Sequence, residues 1–240
     1  MPTPTTNERL KFINALDVHK VSNAAPTQDT ADVVAGSAFY FVQNVTQLMK
    51  ADVINSTLLA QLAANKKYDR QANKLQWYGY YTQVLGQLGW VVQEFALTEV
   101  NVAAYSSMDQ LILKYCGTFL AGDQLAQFTS MIDTLKDTKN TKAETIFNEQ
   151  SKVSSSASFQ LGLTYAKGAN PYVSIAGFAC TSSKDIDRVL FDPITGNKTT
   201  FHAGYQTMFL DENLYSQVRQ SVLEKLSTKP VDKLVVAIEL

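Results

Sequence analysis

The chain has 240 residues, and its composition excludes several classes of protein. Charged residues make up 18%, below the usual quarter, so the surface must be rich in uncharged polar side chains. With 21 basic and 22 acidic residues, no net field attracts nucleic acid, and we expect no nucleic-acid partner. The only cysteines, Cys116 and Cys180, exclude a disulfide framework and leave a single bridge open. Together with the two histidines, the cysteines are too few and too scattered along the chain to predict a metal site.

Targeting signals are not recognisable in the sequence. Residues 1–10 are polar, without the basic and apolar regions of a secretory signal. The apolar stretches are interrupted by Lys, Asp or Asn well before the ~20 residues that a membrane-spanning helix needs. We therefore expect a protein that is cytoplasmic on synthesis, with later release from the cell left open.

The first part of the chain predicts an N-terminal arm followed by helices. Residues 1–30 show no sustained periodicity and are predicted to form the arm, and residues 31–240 are predicted to form one domain. From Ala38 to Met49 apolar residues recur at helical spacing, which predicts an amphipathic helix. The pattern then continues either as a second helix or as the same helix broken near Asp52.

Aromatic residues dominate the next predicted helix. Apolar side chains from Leu75 to Leu88 cluster by threes and fours, and Gly89 ends the pattern. The alternation from Trp90 to Thr98 predicts the only strand of the first half. Three further helices are predicted, the first capped by Ser106 or Ser107, the second by Asp123, and a short third one around Ala143 to Gln150.

The last third of the sequence predicts a β-meander. Alternation from Phe159 to Tyr165 is typical of a strand with one wet face. Turn-rich connections separate the further predicted strands, which are Tyr172–Cys180, Arg188–Phe191 and Thr199–Leu210. A helix from Asp211 to Leu226 and a buried strand from Leu234 to Ile238 complete the chain. This order predicts an α+β fold in which helices pack, in two layers, on a mainly antiparallel sheet.

No catalytic motif is present, so we expect a non-enzymatic protein without a cofactor. The chain lacks GxSxG, HExxH, Walker-type and GxGxxG patterns, and we predict no catalytic residue. An enzyme of unfamiliar type stays an alternative. It would show a pocket that holds His202 or a carboxylate with a shifted pKa.

Two groups of side chains are candidate sites. Cys180 ends an apolar predicted strand and Cys116 lies on a predicted helix, so each thiol is either an acylation site or a small buried hydrophobe. Amphipathic aromatic rings either contact a membrane or ligand or pack in the core. The candidate rings are Phe41, Trp77, Tyr78, Tyr81 and Trp90.

Four stretches without a chemical signature are similar to those of a known family. They are Trp77–Tyr81, Leu88–Phe95, Gln206–Leu210 and Tyr215–Arg219. These stretches resemble the Evf-like virulence factors, α/β proteins that carry a palmitoyl thioester on a cysteine and promote colonisation of an insect gut. The resemblance implies covalent palmitate on Cys116 or Cys180.

The order of predicted elements is also similar to that of the Cyt-type cytolysins, in which helix pairs wrap over an antiparallel sheet. Helices of that family are thought to lift from the sheet so that the protein engages lipid. The C-terminal helix and strand predicted here depart from that pattern. Together the resemblances imply a membrane-interacting, pore-forming virulence or toxin-like protein. A soluble module that binds a protein or glycan, with no membrane activity, stays the alternative.

Overall fold

The computed structural model describes residues 4–92, 96–120, 122–194, 199–227 and 233–240, which form an α+β fold. The helices are α1 (Thr6–Ala15), α2 (Gln47–Lys67), α3 (Lys74–Gln87), α4 (Met108–Cys116), α5 (Asp123–Thr134), α6 (Thr141–Ser151), α7 (Glu212–Tyr215) and α8 (Arg219–Leu226). The strands are β1 (Ala31–Val34), β2 (Ser37–Phe41), β3 (Trp90–Val91), β4 (Thr98–Glu99), β5 (Lys152–Val153), β6 (Ser156–Lys167), β7 (Asn170–Thr181), β8 (Thr200–Leu210) and β9 (Val235–Ala237).

All of these strands belong to one sheet, in the order β3-β8-β7-β6-β2-β1-β9, with β4 beside β8 and β5 beside β6. The long strands β6, β7 and β8 form the predicted antiparallel meander. The pair β2–β6 is parallel. The prediction of an α+β fold with a mainly antiparallel sheet is therefore confirmed.

Helices cover both faces of the sheet, which makes three layers rather than the predicted two. The helices α1, α2, α3 and α8 contribute to one hydrophobic core, on what we call the α2 face. The helices α4, α5 and α6 contribute to the other core, on the α4 face. Side chains alternate between the cores along each strand, so that Ile175 belongs to the first and Phe178 to the second. The predicted wet face of β6 is wrong, because Gln160 and Thr164 are buried beneath the α2 layer.

The predicted amphipathic helix from Ala38 to Met49 is also wrong in its first half. The segment forms strand β2, which pairs with β1 on one side and with β6 on the other. Because this interior strand is buried on both faces, its apolar residues do not alternate, and their spacing imitates that of a helix. Only the end of the segment belongs to α2, where Thr46 caps the helix by accepting a hydrogen bond from the Met49 amide.

Helix α2 is continuous through Asp52 and is buried over most of its length. The Asp52 carboxylate accepts two hydrogen bonds from the Arg219 guanidinium on α8, at 2.8 and 2.9 Å. A charged residue that looks like a helix break in the sequence is therefore half of a partly buried ion pair that holds α8 against α2.

Residues 1–30, predicted as an arm with little structure, include helix α1. Thr5 and Glu8 form a capping box at its N-terminus. Arg9 is buried and donates hydrogen bonds of 2.8 Å to the carbonyl oxygens of Gly86 and Gln87, where α3 ends. These contacts satisfy carbonyls that a helix C-terminus leaves without partners, so α1 packs as part of the domain.

The remaining elements confirm some predictions and correct others. Asp211 caps α7 as predicted, although the single predicted helix is divided into α7 and α8. The predicted strand Arg188–Phe191 forms a turn instead, because Val189 and Leu190 anchor it in the core of the α4 face. The predicted strand from Trp90 is represented by the short β3 and β4, and residues 93–95 lie outside the described part of the chain.

Candidate functional site

Four neighbouring strands place apolar side chains in a row across one end of the α4 face. Tyr165 pairs with Tyr172, Tyr172 pairs with Phe209, and Phe209 pairs with Val91. Directly paired residues project from the same face of a sheet, so these four side chains stand side by side. We call them the aromatic row.

The three rings of the row are stacked and remain partly exposed. The ring centroids of Tyr165 and Tyr172 are 5.6 Å apart, and those of Tyr172 and Phe209 are 5.0 Å apart, each pair at 22°. The ammonium group of Lys167 lies 4.8 Å from the Tyr172 centroid and 5.4 Å from that of Tyr165. Val91 continues the row with 47% of its surface exposed. The row therefore combines an apolar surface, phenol hydroxyls and a cation.

A second exposed aromatic group lies on the same face. Tyr205 projects from β8 with 51% of its surface exposed, and its ring stacks on Phe119 at 4.2 Å between centroids. Phe119 in turn contacts Tyr115 of α4. Between this group and the row lie the Ser174 and Thr207 hydroxyls, 3.4 Å apart. The exposed aromatic surface thus extends from the row to the end of the α4 layer.

The aromatic residues predicted as membrane or ligand contacts lie elsewhere, in the core of the α2 face. Trp77 stacks on Tyr81 at 5.2 Å and meets the edge of Tyr78 at 5.0 Å. All five predicted residues are buried: Phe41, Trp77, Tyr78, Tyr81 and Trp90. The indole N–H groups of the two tryptophans are bonded inside the protein: Trp90 donates to the Ser56 hydroxyl and Trp77 to the Asn65 side chain. Membrane contact through these rings stays a prediction for a rearranged conformation only.

Both cysteines are free and buried in the core of the α4 face, so they form no bridge with each other. Burial raises the pKa of the Cys116 thiol well above its usual range. Burial likewise raises the pKa of Cys180 to about 12. The thiolate is the reactive form of cysteine, so neither residue is activated in this conformation. Acylation of either thiol stays a prediction.

A cavity of about 280 Å³ lies between residues 22–29, β1, α2 and β9, and Asp32 is one of the residues that line it. Asp32 is only 3% exposed, and its Oδ2 has no hydrogen-bond partner among the described residues. Desolvation, together with the nearby charge of Asp29, raises the pKa of Asp32 to about 7, against the opposing effect of Lys50. The enzymatic alternative predicts a pocket that holds a carboxylate with a shifted pKa, and Asp32 is one such carboxylate. His202 lies on β8, four strands away in the sheet.

Membrane-spanning helices and clusters of metal ligands are both absent from the described ranges. None of the helices in these ranges combines the length and the apolar character that crossing a bilayer requires. The same ranges contain no group of three or more His, Cys, Asp or Glu side chains suited to a metal ion.

Comparison with known proteins finds similar folds only among solved structures. No protein-family model and no curated protein matches the chain. A delta-endotoxin is similar at 9% identity and a TM-score of 0.44, over 81% of this chain and 86% of that chain. The Evf virulence factor is similar at 12% identity and a TM-score of 0.36, over 92% and 90%. The activated Cyt2Ba monomer from Bacillus thuringiensis subsp. israelensis is similar at 9% identity and a TM-score of 0.41, over 74% and 97%. The predicted resemblance to Evf and Cyt proteins is confirmed, and it concerns the fold alone.

Proposed function

We propose that this protein is a membrane-interacting, toxin-like or virulence protein that binds the interfacial region of a lipid bilayer through the aromatic row. The observation that supports this function is the position of Tyr165, Tyr172, Phe209 and Val91 side by side, partly exposed, on one sheet face. Contiguous apolar surface of this kind marks interaction sites on soluble domains.

The chemistry of the row suits a lipid interface. Tyrosine rings combine an apolar body with a polar tip and are enriched where a membrane meets water. Burying their exposed area contributes about 25 cal/mol per Å² of apolar surface. Lys167 adds attraction to anionic lipids, about 1 kcal/mol for one basic residue near the surface. Several weak contributions therefore act together, and binding should be stronger to anionic than to neutral vesicles.

Co-sedimentation with vesicles tests the proposal. A variant with Tyr172→Thr and Phe209→Thr removes two rings and introduces threonine, a β-branched residue that suits strands. The matched control is Tyr80→Thr on α3. It removes a partly exposed ring whose centroid lies 3.9 Å from the Lys67 ammonium, so it also loses a ring next to a lysine. We expect wild type and the control to sediment with phosphatidylcholine/phosphatidylglycerol vesicles, and the double variant to bind at least tenfold more weakly.

Equal binding by all three proteins would contradict the role of the row. If wild type binds neither phosphatidylcholine/phosphatidylglycerol vesicles nor neutral phosphatidylcholine vesicles, the membrane proposal fails. The protein- or glycan-binding alternative then takes its place. Dye release from the same vesicles separates surface binding from pore formation, because a protein that only binds the interface releases no dye.

Acylation is a separate part of the proposal and has a separate test. The intact mass of natively expressed protein should exceed the sequence mass by one fatty acyl chain that hydroxylamine removes. Cys180→Ser and Cys116→Ser then identify the modified thiol. An unmodified native mass removes acylation and leaves the aromatic row unaffected.

A further inference from the structure

Asp32 is a buried carboxylate that lacks a partner among the described residues. It is only 3% exposed, and within the described ranges no cation forms an ion pair with it. Its Oδ2 is enclosed by protein, whereas Oδ1, which accepts no hydrogen bond from a described residue either, keeps a small accessible surface. A buried carboxylate of this kind is costly to the fold unless a counter-charge compensates it.

The side chain of Asp32 projects towards the cavity of about 280 Å³ that it lines. Asp32 pairs directly with Phe39 of β2 and with Ala237 of β9, and directly paired residues project from the same face of a sheet. Phe39 belongs to the core of the α2 face, and Ala237 lines the cavity opposite Ile54 of α2. The carboxylate of Asp32 is therefore on the side of the sheet where the cavity lies.

One wall of the cavity is the segment that leads into β1, and side chains of α2 hold this wall in place. The Asn55 side chain accepts a hydrogen bond of 2.7 Å from the Ala24 amide and donates one of 2.8 Å to the Ala24 carbonyl. The Lys50 ammonium donates to two carbonyl oxygens of the same segment, among them that of Asp29 at 2.7 Å. The cavity is therefore bounded by fixed backbone and exists before any ligand binds.

The charges around the cavity favour a cation. Desolvation and the charge of Asp29, which also lines the cavity, raise the pKa of Asp32 to about 7. Above that pH the carboxylate is ionised and is stabilised by a cation placed against it. Lys50 is bonded to backbone carbonyls, and the exposed Lys233 lines the cavity without forming an ion pair with Asp32. The position next to Oδ1 is therefore suited to a positively charged hydrogen-bond donor.

From this geometry we infer that the cavity is a binding site for a primary ammonium group carried by a short aliphatic chain. The ammonium donates a hydrogen bond to Oδ1 of Asp32 and supplies the counter-charge. The chain packs on the apolar part of the lining, which is formed by Ala24, Ala25, Ile54, Val235 and Ala237. The amine is either a free small molecule or the headgroup of an aminophospholipid. The site does not depend on the membrane contact proposed above.

Thermal unfolding with n-butylammonium chloride at pH 8, compared with sodium chloride of equal ionic strength, tests the site. We expect a saturable rise in the Tm of wild type, because a ligand that binds the folded state stabilises it. Asp32→Asn keeps the shape of the side chain without its charge and should bind the amine at least tenfold more weakly. Asp17→Asn is the matched control, because it removes an exposed carboxylate that pairs with Lys66 and does not line the cavity. It should respond as wild type does.

Two outcomes of this experiment would overturn the inference: wild type that responds only to ionic strength, and Asp32→Asn that responds as wild type does. Neutral n-butanol separates recognition of charge from the filling of an apolar cavity. It should leave the Tm of wild type unchanged at the concentrations at which the amine acts, and an equal response to the alcohol would also overturn the inference.

The pH dependence of amine binding gives an independent readout. Protonation removes the charge of Asp32, so the affinity of wild type should fall at least tenfold between pH 8 and pH 5.5. The other charged groups around Asp32 are Asp29, Lys50 and Lys233. Asp32→Asn retains all three, so its weak binding should not change in the same way. An affinity of wild type that is the same at both pH values would contradict the role of Asp32.

A second variant keeps the test decisive if Asp32→Asn alters the fold. Ala237→Ile leaves Asp32 in place and narrows the cavity with a residue that suits strands. It should bind the amine several-fold more weakly than wild type, and an unchanged affinity would overturn the inference. Soluble dihexanoyl-phosphatidylethanolamine identifies the source of the amine: a larger response than to n-butylammonium assigns the site to a headgroup, and an equal or smaller one assigns it to a free amine. The double variant of the aromatic row should respond to n-butylammonium as wild type does.

Discussion

The two faces of the sheet differ in what their interiors contain. The α2 face buries charged residues, among them Asp32, Asp52 and Arg70, and includes polar atoms without a partner in the described structure. The α4 face is filled by packed rings, with Phe159 5.1 Å and Phe201 5.7 Å from Phe178 between centroids. The first face thus buries groups that can titrate, whereas the second is held by apolar packing and leaves its aromatic row partly exposed to solvent. We therefore expect the α2 face to respond to pH and the aromatic row of the α4 face to respond to lipid.

The largest effect should come from breaking the apolar packing of the α4 face. Phe178 is fully buried and contacts the rings of Phe159, Phe201 and Tyr115. Phe178→Ala should lower the free energy of unfolding by about 3–5 kcal/mol, because it removes apolar contacts and leaves a cavity. Urea unfolding of the variant and wild type measures this difference. A loss below about 1 kcal/mol would show that this core is not tightly packed.

The next largest effect should be a pH dependence on the α2 face. The pKa of Asp32 is raised to about 7 in the folded protein, above the ordinary 3.8. The folded state therefore holds this proton more tightly than the unfolded state, so its contribution to stability is full below pH ~4 and is lost as pH rises towards about 7. Asp32→Asn removes the buried charge and should stabilise the protein by about 1–4 kcal/mol at pH 8, with little change at pH 4.

Unfolding by urea at pH 4, 6 and 8 measures the Asp32 contribution as the difference between variant and wild type. The difference cancels the contributions of the other titrating groups, including Asp29 and Lys50, whose charges act on Asp32. A difference that is the same at all three pH values would contradict the raised pKa of Asp32.

Local patterns in the sequence predicted much of the fold. The strands β6, β7 and β8 were predictable because alternation and turn residues are local signals, and α3 because its aromatic residues recur at helical spacing. The β1–β2 hairpin was not, because its strands are buried on both faces and their pairing with β6 and β9 joins distant parts of the chain. The long-range contacts of Arg9 with the end of α3 likewise leave no local pattern in the sequence.

The candidate site was less predictable than the fold. Tyr165, Tyr172 and Phe209 belong to strands that the sequence indicates, but the row exists only through the register that pairs them. Trp77, Tyr78 and Tyr81, which cluster in one helix, were the predicted contacts instead, and they are buried in the core. The signal for the row was an aromatic residue near the end of β6, the start of β7 and the end of β8. These positions lie at one end of the sheet, which can be recognised only once the strand register is known.

The most direct test of membrane contact places a probe in the aromatic row itself. Val91→Cys, labelled with the environment-sensitive fluorophore NBD, reports whether this position enters lipid. Cys116 and Cys180 are buried with raised pKa values, so the introduced thiol should be the reactive one. Leu75→Cys is the matched control, because Leu75 is 69% exposed on α3, in the layer on the opposite face.

On addition of phosphatidylcholine/phosphatidylglycerol vesicles, the probe at position 91 should gain intensity and shift to shorter wavelength, while the probe at position 75 should stay unchanged. That result would place the row against the bilayer. An unchanged spectrum at position 91, in a sample whose protein sediments with the vesicles, would contradict the proposal that the aromatic row is the membrane-binding surface.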